Sequence, residues 1–279
     1  MRPMSKIAIL QMTSGIDPAA NAATIVDAVE RAAAGGAVAL FTPEMSGLLD
    51  RERARGARHV VAAQDNPVLA AVRAAAARAG ITVMLGSLAV TRDQGRWANR
   101  SFAIGPDGAI LATYDKIHMF DVALESGETW RESAAYAPGE AVVTVAVPDL
   151  GRVGLAICYD LRFPALFEEL GRQACDVIAI PAAFTRPTGA AHWHLLQRAR
   201  AVEASAYVVA AAQVGVHEDG RETYGHSLVI DPWGDVVLDM GGDAAGLGFA
   251  DIDPDRIATV RRQLPSLANR QPIPRSAPQ

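Results

Sequence analysis

The chain has 279 residues, 50% hydrophobic and 20% charged, with a formal net charge of −5 and a pI near 5.7, which excludes the basic footprint of a nucleic-acid-binding domain. No run of 18 apolar residues is present to span a bilayer, and the N-terminal apolar run from Ile7 to Met12 is too short for a secretory signal and carries Gln11. Two cysteines, Cys158 and Cys175, with no CxxC pair exclude a disulfide framework and set the expected compartment as a reducing cytoplasm.

Apolar strand-like runs alternate with helical patterns. Lys6 to Met12 reads as a strand, followed by Asp17 as N-cap and Pro18 at the first helical position. The stripe Ile25, Val26, Val29 and Ala33 continues that helix to Gly35 and Gly36. Ala37 to Thr42 is a second strand. The arginines Arg51, Arg53, Arg55 and Arg58, interrupted by Glu52, read as a solvated loop or helix face. A helix from Pro67 to Ala79 stops at Gly80, and Ile81 to Ser87 follows as a strand. Arg100 to Ile104 and Ala109 to Tyr114 flank a Gly-Pro-Asp-Gly turn, as Ala141 to Val147 and Arg152 to Ile157 flank Pro-Asp-Leu-Gly. A helix after Pro164, a strand Val177 to Ile180, a helix Ala190 to Ala204 and a strand Tyr207 to Gln213 come next. Strands His226 to Ile230, Val236 to Asp239 and Leu247 to Ile252 precede a last helix opened by Pro254. The interleaving, without a central linker, predicts one α/β domain over 1–265 with mixed sheets, and a Pro-rich tail over 266–279 that drapes on a partner subunit or is disordered. A domain of this size buries roughly 75% of its unfolded surface and needs no staples.

Three residues suit one chemistry. Cys158 ends the apolar run Gly154 to Ile157 and precedes a polar, then helical segment. A strand-to-helix elbow of this kind holds a nucleophile rigidly beside exposed backbone N–H groups, although a lone cysteine also suits a buried core. Glu44 ends a buried strand, where active sites of α/β proteins gather, but alone reads more readily as an exposed loop acid. Lys116 follows the strand ending at Tyr114 and alone reads as a solvated charge. Together they supply what a thiol needs to attack a carbonyl: a carboxylate to take its proton and an ammonium to favour developing negative charge.

These segments resemble the nitrilase, or carbon–nitrogen hydrolase, superfamily, and within it the Nit branch of deaminated glutathione amidases. The matching runs are Pro43-Glu44, DKIHMFDV at Asp115 to Val122, CYDLRFP at Cys158 to Pro164 and PAAFT at Pro181 to Thr185. TGAAHWHLLQRARAVE at Thr188 to Glu203, YGHSLVIDPWG at Tyr224 to Gly234 and RRQLP at Arg261 to Pro265 extend the likeness over nearly the whole chain. The resemblance implies an α-β-β-α sandwich, a homodimer or higher assembly across a helical interface, and hydrolysis of a small carboxylic amide. The implied substrate is deaminated glutathione or an ω-amide of a dicarboxylic acid; another amide or N-carbamoyl hydrolase, and a catalytically silent metabolite-binding protein, are the alternatives. By position it implies Glu44 as general base, Lys116 as oxyanion stabiliser, Cys158 as nucleophile and the Tyr159 backbone N–H as second oxyanion donor. A second glutamate belongs to the pattern. Glu125, Glu128 and Glu132 compete for it, and Glu132 matches the spacing best.

Arg162 suits a substrate carboxylate or an ion pair with Asp160, and Phe184 and Thr185 are expected to line the pocket. His194 stands where many relatives carry glutamate. His192 and His194, two apart on a helix, diverge, and no zinc or nucleotide motif is present, so neither a metal nor another cofactor is expected.

Overall fold

In the computed structural model, residues 3–123, 127 and 129–274 are described. One six-stranded sheet contains β1 (Ser5–Gln11), β2 (Ala39–Phe41), β3 (Thr82–Thr91), β4 (Trp97–Ile104), β5 (Ile110–Asp115) and β16 (Gly246–Ile252), in the order β16-β1-β2-β3-β4-β5. The other contains β8 (Thr144–Val147), β9 (Gly151–Leu155), β10 (Val177–Ala179), β11 (Tyr207–Ala210), β14 (Leu228–Ile230) and β15 (Val236–Asp239), in the order β15-β14-β11-β10-β9-β8. In each sheet three strands run parallel, β1-β2-β3 and β9-β10-β11, with antiparallel strands at the flanks. The helices are α1 (Pro18–Ala34), α2 (Arg53–Gly56), α3 (Pro67–Ala79), α4 (Pro164–Arg172), α5 (Arg186–Ala204) and α6 (Pro254–Gln263).

The period-two alternation of the strands builds the layers. In β1, Ile7 and Ile9 enter the core between the sheets, while Ala8 and Leu10 face a separate core against α1 and α3. In β2 and β3, Phe41 and Met84 point inward, and Leu40, Val83 and Leu85 point to the helices. On the far side, Leu166, Phe167 and Trp193 of α4 and α5 close over the second sheet. The product is the α-β-β-α sandwich. Helix starts follow local chemistry: Asp17, Asn66 and Asp253 accept from the first-turn N–H groups of α1, α3 and α6, each ahead of a proline.

Two short ribbons, β6 (Asp121–Ala123) with β7 (Thr129–Arg131) and β12 (Val214–Val216) with β13 (Glu222–Tyr224), rise outside the sheets. In the tail, Arg270 donates to the carbonyls of Glu168 and Glu203, and Leu267 packs at Gly171, so its described part lies on α4 and α5 of its own chain. Among the described residues, no helix is long and apolar enough to cross a membrane.

Candidate active site

The segments leaving β2, β5, β9 and β10 meet at one end of the sandwich, and each brings a functional group. The exit of β2 is pressed against β3 so closely that a Cβ at Gly86 would lie 2.1 Å from the Thr42 carbonyl oxygen and 2.2 Å from that of Pro43. Only glycine permits this approach, which fixes the segment carrying Glu44.

Cys158 sits directly after β9 with φ of 48°, in the left-handed region. For a non-glycine residue this is strained backbone that the surroundings must impose. They do so through hydrogen bonds: the Cys158 N–H donates to the Pro181 carbonyl at 2.9 Å, and the buried Asp160 carboxylate accepts from Ile157 N at 3.0 Å. Asp160 also accepts from the Tyr114 hydroxyl at 2.7 Å and from His118 N at 3.0 Å, with His118 Nδ1 at 2.7 Å. One carboxylate thus ties the elbow to β5 and to the loop that follows Lys116. Tyr159 stands in the first turn of a 3₁₀ helix, Cys158–Arg162, where backbone donors have no partner within the helix.

Lys116 is buried between two carboxylates. Its Nζ lies 3.0 Å from Glu44 Oε1 and 2.8 and 3.1 Å from the two oxygens of Glu132. Asn99 Nδ2 donates to the same pair, at 2.8 Å to Glu44 and 3.1 Å to Glu132. Phe120 N donates to Glu132 at 2.7 Å, and Ala183 N to the other Glu44 oxygen at 2.9 Å. The Cys158 thiol lies close enough to Glu44, Lys116 and the Ala183 backbone for all three to act on its ionisation. Glu44, Lys116, Cys158 and Glu132 therefore form one contiguous cluster. Glu125 and Glu128, which competed with Glu132, lie outside the described residues.

Burial pushes the Cys158 thiol well above its ordinary range; the Glu44 carboxylate adds to this and Lys116 opposes it. The balance of these effects favours the neutral thiol at rest. For Lys116, burial works against the charge, but the carboxylates of Glu132 and Glu44 outweigh it and hold the ammonium well above the usual lysine range. The cluster is thus a neutral thiol beside two carboxylates and one ammonium. Such a set favours proton transfer at the moment of attack over a preformed thiolate.

The cluster opens into a cavity of about 500 Å³. Tyr159, Arg162, Phe184 and Thr185 all line it. Arg162 does not pair with Asp160, whose oxygens are taken by Tyr114, His118 and Ile157; it lies 3.3 Å from His192 Nδ1 and over the rings of Tyr159 and Phe184. The arginine run is solvated, with Arg51, Arg53 and Arg58 exposed, and part of it also faces the cavity. Arg51 and Arg53 line the cavity, and Arg55 makes a two-pronged ion pair with the buried Asp50. Trp130 of β7 also lines the cavity, with Arg51 over its ring at 5.3 Å and Arg221 at 4.7 Å. The local sequence pattern carried no signal for Asn99, Trp130 or Arg221, which come from separate elements and meet only on folding, and it offered Asp160 only as a partner for Arg162.

The chain matches the carbon–nitrogen hydrolase family over residues 6–262. It is 39% identical over 268 residues to a deaminated glutathione amidase of Synechocystis sp., covering 94% of this chain and 97% of that one. Against the deaminated glutathione amidase of Homo sapiens it is 36% identical over 273 residues, covering 95% of this chain and 82% of that one. Among solved structures, Saccharomyces cerevisiae Nit3, a member of branch 10 of the nitrilase superfamily, superposes with a TM-score of 0.84 at 27% identity, covering 94% of each chain.

Proposed function

The chain belongs to the carbon–nitrogen hydrolase family and is an amidase, and from that premise we propose that Cys158 is its nucleophile and deaminated glutathione its substrate. The observation that carries the catalytic reading is the convergence of the Cys158 thiol, the Glu44 carboxylate and the Lys116 ammonium at one cavity.

Glu44 takes the Cys158 proton as sulfur attacks the amide carbon. The Lys116 ammonium and the Tyr159 N–H hold the oxygen that becomes negative. Glu44 then delivers the proton to the leaving nitrogen as the C–N bond breaks, leaving a thioester. Water, deprotonated by Glu44, attacks the thioester; the C–S bond breaks and the proton returns to sulfur. Glu132, bound to Lys116 through both oxygens, aims the ammonium and keeps it charged.

Size and charge of the cavity support a substrate with a carboxylate at each end. About 500 Å³ is in the range that holds a drug-sized molecule and exceeds what a five-carbon amide fills. Arg162 stands beside Tyr159, next to the nucleophile, and suits the carboxylate of the acyl part. Arg51 and Arg53, near Trp130, suit the carboxylate of a cysteinylglycine leaving group. None of these three arginines has an ion-pair partner among the described residues. In steady-state assays with deaminated glutathione and a five-carbon α-keto ω-amide, Arg51→Gln with Arg53→Gln is expected to raise KM for the former roughly tenfold, the worth of about one charge-assisted hydrogen bond, and to leave the latter unchanged. Equal loss on both substrates removes the two-ended reading. Turnover of N-carbamoyl or simple aliphatic amides in preference to either places the chain with another amide hydrolase of the family.

The assembly we infer is a homodimer formed across the helical layer. Leu195 and Val202 project from one face of α5, 67% and 41% exposed, and Val202 lies beside Gly234, next to the half-exposed Trp233. Apolar surface of this kind on a helix face is what a self-complementary interface covers. Light scattering is expected to return twice the chain mass, reduced to one chain by Leu195→Glu. A single-chain mass for the unmodified protein rejects the dimer. The free thiols of Cys158 and Cys175 suit a reducing cytoplasm, which fractionation of cells checks.

A further inference from the structure

Away from the cavity, three side chains from three elements converge. His194 of α5 places Nε2 3.0 Å from Asp239 Oδ2, at the end of β15. His226, from the loop between β13 and β14, places Nδ1 2.9 and 3.1 Å from the two oxygens of the same carboxylate. One donor atom from each of the three falls within 4.8 Å of the others. We propose that His194, His226 and Asp239 form a binding site for a divalent transition-metal ion, with zinc the representative, that clamps α5 to the β14–β15 hairpin.

The chemistry of the set fits such an ion. Two imidazoles and one carboxylate are the ligands that zinc and its neighbours in the first transition row take, and hard ions such as magnesium avoid nitrogen. Ligand atoms about 2.0–2.1 Å from a tetrahedral ion stand about 3.3 Å apart. The nitrogen–oxygen separations of 2.9 to 3.1 Å are within a few tenths of an ångström of that edge. Only the nitrogen-to-nitrogen separation has to close further, and each imidazole can carry its proton on the ring nitrogen turned away from the ion.

The ligands are also held in place. His226 has φ of 53°, its N–H donates to the Gly241 carbonyl, and its own carbonyl accepts from Trp193 Nε1 at 2.8 Å. Its ring stacks on Tyr224 with centroids 4.5 Å apart. Asp239 Oδ1 accepts from Gly241 N at 2.9 Å, so the carboxylate is oriented from behind as ligating carboxylates are. The three side chains remain 25 to 35% exposed, which leaves solvent access for an ion and for water as a fourth ligand. Two of the three groups lie 45 and 13 residues from Asp239 along the chain, so local spacing could not reveal them; the pair His192 and His194, considered from sequence, is not the pair the fold assembles. Trp193, next to His194, packs on Phe184 with ring centroids 4.8 Å apart, which links the clamp mechanically to the cavity wall.

Titration calorimetry with zinc tests the site, using the intact protein, His194→Gln, His226→Asn, Asp239→Asn and, separately, Cys158→Ser. Asn is chosen at 226 because it tolerates the left-handed backbone. The expected result is one zinc per chain in the intact protein and in Cys158→Ser, with affinity lowered at least about tenfold in each of the other three. A hundredfold excess of zinc over Kd is expected to raise the thermal midpoint by about 5 °C in the first two proteins and not in the other three. Without zinc, the three ligand variants are expected to keep the wild-type amidase rate and melting curve, which shows that they fold. Absence of saturable binding at one equivalent, or binding untouched by the three substitutions, overturns the proposal. So does loss of binding in Cys158→Ser alone, which assigns the zinc to the cavity thiol.

Discussion

Glu44→Gln is expected to lower kcat by about ten-thousandfold, the upper end of what a positioned general base contributes, with KM changed little. The carboxylate serves twice in the proposed cycle, on the thiol and on water, so both halves of the reaction lose it. Glutamine matches its size but not its bonding. Glu44 accepts from Asn99, Lys116 and Ala183, all of them donors, and an amide must turn its NH₂ toward one of them. A second signature separates this loss from simple misplacement. Burial is the main reason the Cys158 thiol resists ionisation, and the Glu44 charge is the next. Removing that charge lowers the thiol pKa, so thiolate absorbance in the ultraviolet is expected to rise at a lower pH in Glu44→Gln than in the unmodified protein. Cys175 does not obscure the reading at moderate pH, because burial pushes it up to about 12. A raised KM with kcat preserved would reassign Glu44 to substrate binding.

Lys116→Met keeps the length of the side chain and removes the ammonium. Loss of one oxyanion donor costs about a hundred- to a thousandfold in kcat. The variant also leaves the carboxylates of Glu44 and Glu132 buried against each other without a cation, and breaking a buried pair of this type costs roughly 3–5 kcal/mol of stability. Urea denaturation is expected to show that loss at neutral pH. Its pH dependence has a definite sign. The folded protein holds the Lys116 proton well above the ordinary lysine value, burial being outweighed by Glu132 and Glu44. The lysine's contribution is therefore complete below about pH 10, near the unfolded lysine value, and fades only as pH rises through the folded one. The stability gap between the two proteins should stay constant from neutral pH to that point. Unchanged stability would mean that the ion pairs in the folded state only replace equally good hydration.

The strands were legible as short continuous apolar runs. Ile7, Ala8, Ile9 and Leu10 in β1 are all apolar because both faces are buried, Ile7 and Ile9 in one core and Ala8 and Leu10 in the other. Helix starts were legible at Asp17 with Pro18, at Pro67 and at Pro254, since caps and proline's fixed φ are local chemistry; Asn66 and Asp253 cap the latter two in the structure. The two-sheet sandwich came from the likeness of whole segments to a family, as strand order is set by contacts far apart in the chain. β3 runs to Thr91, past the expected end at Ser87, because its register with β4 shifts between Leu85 and Leu88 and pairing resumes beyond. The ribbons β6–β7 and β12–β13 escaped notice; each strand has three residues, too few for a period to register.

At the site, Glu44, Lys116 and Cys158 could be picked out only as a set: each lies at or just past the end of a strand-like run, and their chemistry and the likeness to the family join them. Glu132 was preferred over Glu125 and Glu128 because its spacing resembles that of the family; its bonds to Lys116, Asn99 and Phe120 N come only with the fold. Asp160 reads in sequence as a surface partner for Arg162. Its burial and its bonds to Tyr114 and His118 depend on β5 lying against the elbow, which only tertiary structure supplies. The same reason hid the arginines around Trp130.

The most direct measurement is the intact mass of the protein, rapidly quenched during turnover of deaminated glutathione. The expected result is a transient covalent adduct equal in mass to the acyl part of the substrate, mapped to Cys158 and absent, together with all turnover, in Cys158→Ala. Turnover by Cys158→Ala at the rate of the unmodified protein, or an adduct that persists in it, would contradict a cysteine thioester and the convergence on which the proposed reaction stands.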